Sequence, residues 1–133
     1  MKLLLDTSAY VRFKLGSPKV VDYLTRADLI LISPVVLAEL MYGFRNGSRY
    51  EENMEALNEF LSHEAVETIQ IGATTADRYA RIAAQLKCQG TPIPTNDIWL
   101  AAQTIEYGAE LVTADRHFEK ISGLVYHLFT TSK

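Results

Sequence analysis

Short apolar runs, separated by longer stretches of helical periodicity, constrain this chain more than any other feature. Leu3-Leu4-Leu5 and Leu29-Ile30-Leu31-Ile32 are continuous, apolar and too short to be helices. Residues 66–71 alternate enough for a third strand, residues 110–113 supply a fourth, and residues 124–128 a last one at an edge. Runs without polar alternation belong to strands buried on both faces, the condition of a parallel sheet covered by helices on each side. Helices fill the intervals. Asp6-Thr7-Ser8 carries helix-start chemistry ahead of a short helix over residues 9–15. Pro18 opens the next, to about residue 27. Ser33-Pro34 is a cap followed by proline, and Val36, Leu40 and Phe44 recur at i, i+4, i+8 until Asn46-Gly47-Ser48. A polar helix with Met54, Leu57 and Leu61 on one face follows. Tyr79, Ile82, Ala83 and Leu86 predict a helix over residues 74–89. Ile98, Ala101, Ala102 and Ile105 repeat that pattern to Tyr107, where Gly108 stops it. Residues 115–119 fit one helical turn. Alternating strands and helices make this an α/β chain with a mostly parallel sheet.

The length, 133 residues, suits one domain over residues 1–133. The strongest break, Gly90-Thr91-Pro92-Ile93-Pro94-Thr95-Asn96, is too short to join two domains and reads as a loop. Asp+Glu outnumber Lys+Arg by 16 to 13, which excludes a strongly basic coat as the main binding device but leaves room for a local basic patch. Cys88 is the lone cysteine, so neither an intrachain disulfide nor a Cys-x-x-Cys zinc site can form. The first apolar run stops at Asp6, far short of a signal-peptide core or a membrane span, and the expectation is a cytoplasmic protein with no membrane partner.

Ligands of open α/β sheets bind beyond the carboxyl ends of the strands. Asp6 follows the first strand directly, Asp115 follows the strand of residues 110–113 after one spacer, and Asp97 begins a helix after the proline loop. Each can be read simply as a helix cap. Glu39 lies inside a helix between Leu37-Ala38 and Leu40-Met41, where it must either snorkel to solvent or serve a site. If the four carboxylates converge, their repulsion calls for a divalent cation. Oxygen donors without cysteine or paired histidine point to Mg²⁺ or Mn²⁺, ions that polarise a phosphodiester and activate water.

These residues resemble the PIN-domain ribonucleases, specifically the VapC-type toxins of type II toxin–antitoxin pairs. The resemblance runs through Leu3-Leu4-Leu5-Asp6-Thr7-Ser8, Ser33-Pro34-Val35-Val36-Leu37-Ala38-Glu39-Leu40, Pro92-Ile93-Pro94-Thr95-Asn96-Asp97-Ile98-Trp99-Leu100-Ala101-Ala102 and Leu111-Val112-Thr113-Ala114-Asp115-Arg116-His117-Phe118. It implies a three-layer α/β/α fold and a Mg²⁺- or Mn²⁺-dependent endoribonuclease whose metal and catalytic residues are Asp6, Glu39, Asp97 and Asp115. Thr7, Asn96 and Thr113 match the supporting polar positions. A cognate antitoxin and a homodimer are the partners it implies, with RNA as substrate.

Arg116, Arg12 and Lys14 are the basic residues nominated to meet RNA, Arg116 first because it adjoins Asp115. Trp99 and Leu100 fall off the apolar stripe of their helix and are either buried or a dimer contact. Tyr42, Phe44, Tyr50 and Met54 serve either the core or an antitoxin groove. His63, His117 and His127 read as structural, with His117 packing or capping, and Cys88 reads as a small buried residue. Three other readings stay open: a PIN nuclease of RNA processing, an enzyme using Asp6 as a phosphotransfer nucleophile, and a metal-binding receiver module.

Overall fold

The computed structural model describes residues 1–130, so the expected domain of residues 1–133 runs three residues past them. Five strands form one sheet: β1 (Lys2–Leu5), β2 (Leu29–Ile32), β3 (Val66–Thr68), β4 (Glu110–Thr113) and β5 (Tyr126–Leu128). Their order is β3-β2-β1-β4-β5, and every neighbouring pair is parallel. β1 is central, with Leu4 in register with Leu31 of β2 and Leu111 of β4. Six α-helices cover the sheet: α1 (Thr7–Lys14), α2 (Pro18–Arg26), α3 (Pro34–Arg45), α4 (Tyr50–Leu61), α5 (Ala73–Gln89) and α6 (Thr95–Glu106). A short 3₁₀ helix, Arg116–Lys120, links β4 to β5. No described helix is long and apolar enough to cross a membrane.

The two-residue period of the strands splits the core in two. Leu4, Leu31 and Leu111 point to one face, where Val36, Leu40, Leu57, Ile82 and Ile98 from α3 to α6 cover them. Leu3, Leu5, Ile30, Ile32 and Val112 point to the other, under Ala9 of α1 and Val20 and Leu24 of α2. The result is the expected three-layer α/β/α architecture. Leucines at both faces of β1 explain its apolar run: Leu3, Leu4 and Leu5 are each fully buried. Burying such a side chain contributes roughly 1.5–3 kcal/mol, which is what holds the central strand in place.

Several boundaries differ from expectation for identifiable reasons. α1 starts at Thr7, two residues early, because Asp6 itself caps it. β3 ends at Thr68, not at residue 71. Ile69 still donates its N–H to Ile32 (3.0 Å), but the chain then turns into α5, and the Gly72 N–H bonds the Thr75 hydroxyl (3.1 Å). β5 begins at Tyr126 because Gly123, at φ 80°, turns the chain just before it. Leu100 is buried, and Trp99, partly buried, lies over Tyr79 of α5 with ring centroids 4.3 Å apart. Cys88 is exposed, correcting the buried assignment, because Ile82 and Leu86 take the inward face of α5. Phe44 and Met54 pack against the larger core, Tyr50 lies under the Arg45 guanidinium (4.3 Å), and Tyr42 is left 71% exposed.

Candidate metal centre

From β1 the chain moves outward through β2 to β3, then returns to the opposite side of β1 as β4. β1 and β4 therefore flank the reversal point, the place where parallel sheets open a crevice. Asp6 follows β1 and Asp115 follows β4 after one residue, so both carboxylates rise from the same end of adjacent strands.

Asp6 is 6% exposed and fully engaged. Its Oδ1 accepts the Ala9 N–H (2.9 Å) and the Ser8 hydroxyl (2.6 Å), and its Oδ2 accepts the Thr113 hydroxyl. Burial pushes its pKa above the ordinary carboxylate value, and the neighbouring Asp115 charge pushes the same way, against these hydrogen bonds. Capping and site membership thus coexist in one side chain. Asp115 also caps: its Oδ1 accepts the His117 N–H (2.8 Å), while its own N–H donates to Thr113 Oγ1 (2.9 Å). The Ala114 N–H donates to Ser8 Oγ (3.2 Å), tying the loops after β1 and β4 together.

Glu39 does not snorkel. α3 is launched from the end of β2 by Ser33, whose hydroxyl accepts the Val35 N–H (3.0 Å), and this sets the second helical turn over the crevice. There Glu39 Oε1 accepts the Thr7 hydroxyl and Oε2 accepts Asn96 Nδ2 (2.9 Å). All three supporting residues named from the sequence therefore bond site carboxylates. Asp97 corrects the capping reading. α6 begins at Thr95 with Pro94 at its cap position, and Asp97 sits in the first turn with its carboxylate free for the crevice. Its side chain is 17% exposed. Burial raises its pKa, as do the charges of Asp115 and Asp6, while the contact with His117 acts the other way.

The four acids line one open cavity of about 430 Å³, with Thr7, Ser8, Leu100 and Ala114 completing the wall. Sequence reasoning missed Ser8 as a bonded support and misread His117. The His117 ring, expected only to pack or cap, meets two of the acids. Its Nδ1 lies 3.0 Å from Asp115 Oδ1 and 3.2 Å from Asp97 Oδ2. The only signal in the sequence was the Asp-x-His spacing, which a capping aspartate folds into contact. The other two histidines are structural as expected: His63 Nδ1 accepts the Ala65 N–H (3.1 Å) and His127 pairs with Glu110 (2.6 Å).

None of the nominated basic residues lines the acidic cavity. Arg116 pairs with Glu119 (2.9 Å) and borders an adjoining cavity with Lys19, the two cavities sharing Ala114. Arg12 and Lys14 lie on α1, outside the acidic wall. The donor set suits a hard divalent cation: carboxylate oxygens converge on one cavity, and two of the acids already hold protons more tightly than usual. Ligand atoms of Asp97, Asp115 and His117 all lie within 4.8 Å of one another.

The model of the PIN domain matches residues 3–124. Ribonuclease VapC1 of Haemophilus influenzae is 29% identical over 135 residues, covering 98% of this chain and 99% of the relative. The tRNA(fMet)-specific endonuclease VapC of Shigella flexneri is 28% identical over 127 residues, covering 93% of this chain and 95% of its own. The crystal structure of VapBC2 from Rickettsia felis, bound to a DNA fragment from their promoter, superposes with a TM-score of 0.85 at 30% identity. That match covers 97% of this chain and 99% of the other.

Proposed function

The chain belongs to the PIN-domain family, among its VapC-type members, and from this premise we propose that it is the toxin of a type II toxin–antitoxin pair, a Mg²⁺- or Mn²⁺-dependent endoribonuclease. One observation carries the proposal: Asp6 after β1, Glu39 of α3, Asp97 of α6 and Asp115 after β4 line a single cavity at the reversal point of the sheet. Asp6, Asp97 and Asp115 would hold the cation, with Glu39 beside them. A divalent cation bound there supplies Lewis acidity to the scissile phosphate and lowers the pKa of water.

The chain's own residues do the positioning. Thr113 and Ser8 fix the Asp6 carboxylate by donating to it, so its rotamer is set before any ion arrives. Thr7 and Asn96 hold Glu39 from both oxygens and orient it toward the crevice. Glu39 either completes the cation's ligands or accepts a hydrogen bond from the attacking water. Arg116, Arg12 and Lys14 are assigned to the RNA backbone approaching this centre. A cognate antitoxin belongs to the same proposal, supported by the likeness to VapBC2; a homodimeric state belongs to it as what the family resemblance implies. The phosphotransfer reading has less support: it accounts for Asp6 at the end of β1, but not for Glu39, Asp97 and Asp115 lining the same cavity.

The test is purified full-length protein incubated with total RNA and Mn²⁺, with the RNA ends mapped. Discrete new ends from wild type, absent with Asp97→Asn and with chelator, are expected. Uncut RNA together with a trapped phospho-Asp6 would reverse the assignment.

A further inference from the structure

The geometry points to His117 as a nitrogen ligand of the bound cation, through Nδ1, making the centre select Mn²⁺ over Mg²⁺. This rests on the metal-site reading above and goes beyond it by adding a donor of a different kind. An ion with bonds of about 2.1 Å places adjacent ligand atoms about 3 Å apart and opposed ones about 4.2 Å apart. His117 Nδ1 stands 3.0 Å from Asp115 Oδ1 and 3.2 Å from Asp97 Oδ2, the edge lengths of such a polyhedron. All three ligand atoms fall within 4.8 Å of one another.

The ring is held where it is by its own backbone. The His117 N–H is fastened to Asp115 Oδ1 (2.8 Å), and the next residue, Phe118, is fully buried and anchors the 3₁₀ helix. The imidazole stays within reach of an ion in the crevice: its side chain is 44% exposed, and its Nδ1 contacts the two site carboxylates. Mn²⁺ is a hard ion and the weakest binder of the first-row divalent series, but as a transition ion it accepts an imidazole nitrogen more readily than Mg²⁺, which favours oxygen and keeps its waters. A nitrogen in this shell therefore raises affinity for Mn²⁺ more than for Mg²⁺.

The experiment is electron spin-echo modulation of the Mn²⁺-loaded full-length protein, with calorimetric titration of Mn²⁺ and Mg²⁺. Wild type should show ¹⁴N modulation from a directly bound imidazole. His117→Gln should bind Mn²⁺ about tenfold more weakly and lose that signal, while Mg²⁺ affinity changes less, within the range seen when a metal site loses a supporting group. Circular dichroism of His117→Gln should match wild type, since the ring is half exposed. Mn²⁺ bound by wild type without nitrogen modulation, or equal losses for the two ions, would overturn the His117 assignment alone. Failure of wild type to bind Mn²⁺ at all would overturn the metal-site reading and this inference with it.

Discussion

Asp97 isolates the chemistry of the site at the scale of one residue, because it caps nothing and its carboxylate serves only the crevice. Its folded-state pKa is raised by burial above the ordinary value of 3.8. Well below that value the folded and unfolded chains are both protonated there, and the site costs nothing. As pH rises, the unfolded state ionises first, so stability falls until the raised folded pKa is passed, and the full cost remains at neutral pH. Without divalent cations, Asp97→Asn should therefore be more stable than wild type by on the order of 1 kcal/mol at pH 7, with the gain vanishing toward pH 4. Urea denaturation at the two pH values checks this, and a gain that grows on acidification would contradict it. Added Mn²⁺ should reverse the order. The four acids could be named as candidates from the sequence because each stands beside a strand end, a helix start or an apolar stripe; their meeting in one cavity is a property of the fold. His117 was not, because its contact with Asp97, 20 residues away, depends on a capping turn at Asp115 that spacing alone does not orient.

At the scale of elements, the helices act as mounts for the acids. Ser33 launches α3 and so carries Glu39; Ser33→Ala removes the bond to the Val35 N–H and should cost about 1 kcal/mol. Phe118 fixes the 3₁₀ helix that holds His117 and follows Asp115; it is fully buried, and Phe118→Ala should cost about 3–5 kcal/mol. Denaturant melts measure both. If metal affinity in Phe118→Ala stays at the wild-type value once the protein is confirmed folded, the 3₁₀ helix is not the mount described. Element existence was readable because apolar runs and helical stripes differ in period: β2 (Leu29–Ile32) and β4 (Glu110–Thr113) have the bounds expected. The ends of β3 and β5 were not readable: β3 stops at Thr68 because its partner β2 ends at Ile32, and Gly123 turns the chain ahead of β5.

The whole molecule gathers four mutually repelling carboxylates into one candidate cation site. Strand order β3-β2-β1-β4-β5 brings Asp6 and Asp115 together although 109 positions separate them in sequence numbering, and α3 and α6 close over them with Glu39 and Asp97. That order was beyond the residues themselves, because apolar strands of similar length carry no label for their neighbours; the likeness to PIN domains implied a three-layer fold with a parallel sheet, and the structure supplies the order. A cation that binds only the folded chain stabilises it by mass action, about 2.7 kcal/mol at a free concentration one hundred times Kd. Mn²⁺ should accordingly raise the melting temperature in a concentration-dependent way, chelator should restore the original value, and Asp97→Asn should lose most of the shift. Calorimetric melts follow this, and an equal shift in the variant would mean the ion binds elsewhere. The most direct measurement is anomalous diffraction at the manganese edge from crystals grown with Mn²⁺. The account predicts density in the cavity between Asp6, Asp97 and Asp115, with Glu39 at its border. Density at the Glu51, Glu52 and Glu55 cluster of α4 alone, or none in the crevice at saturating Mn²⁺, would contradict it.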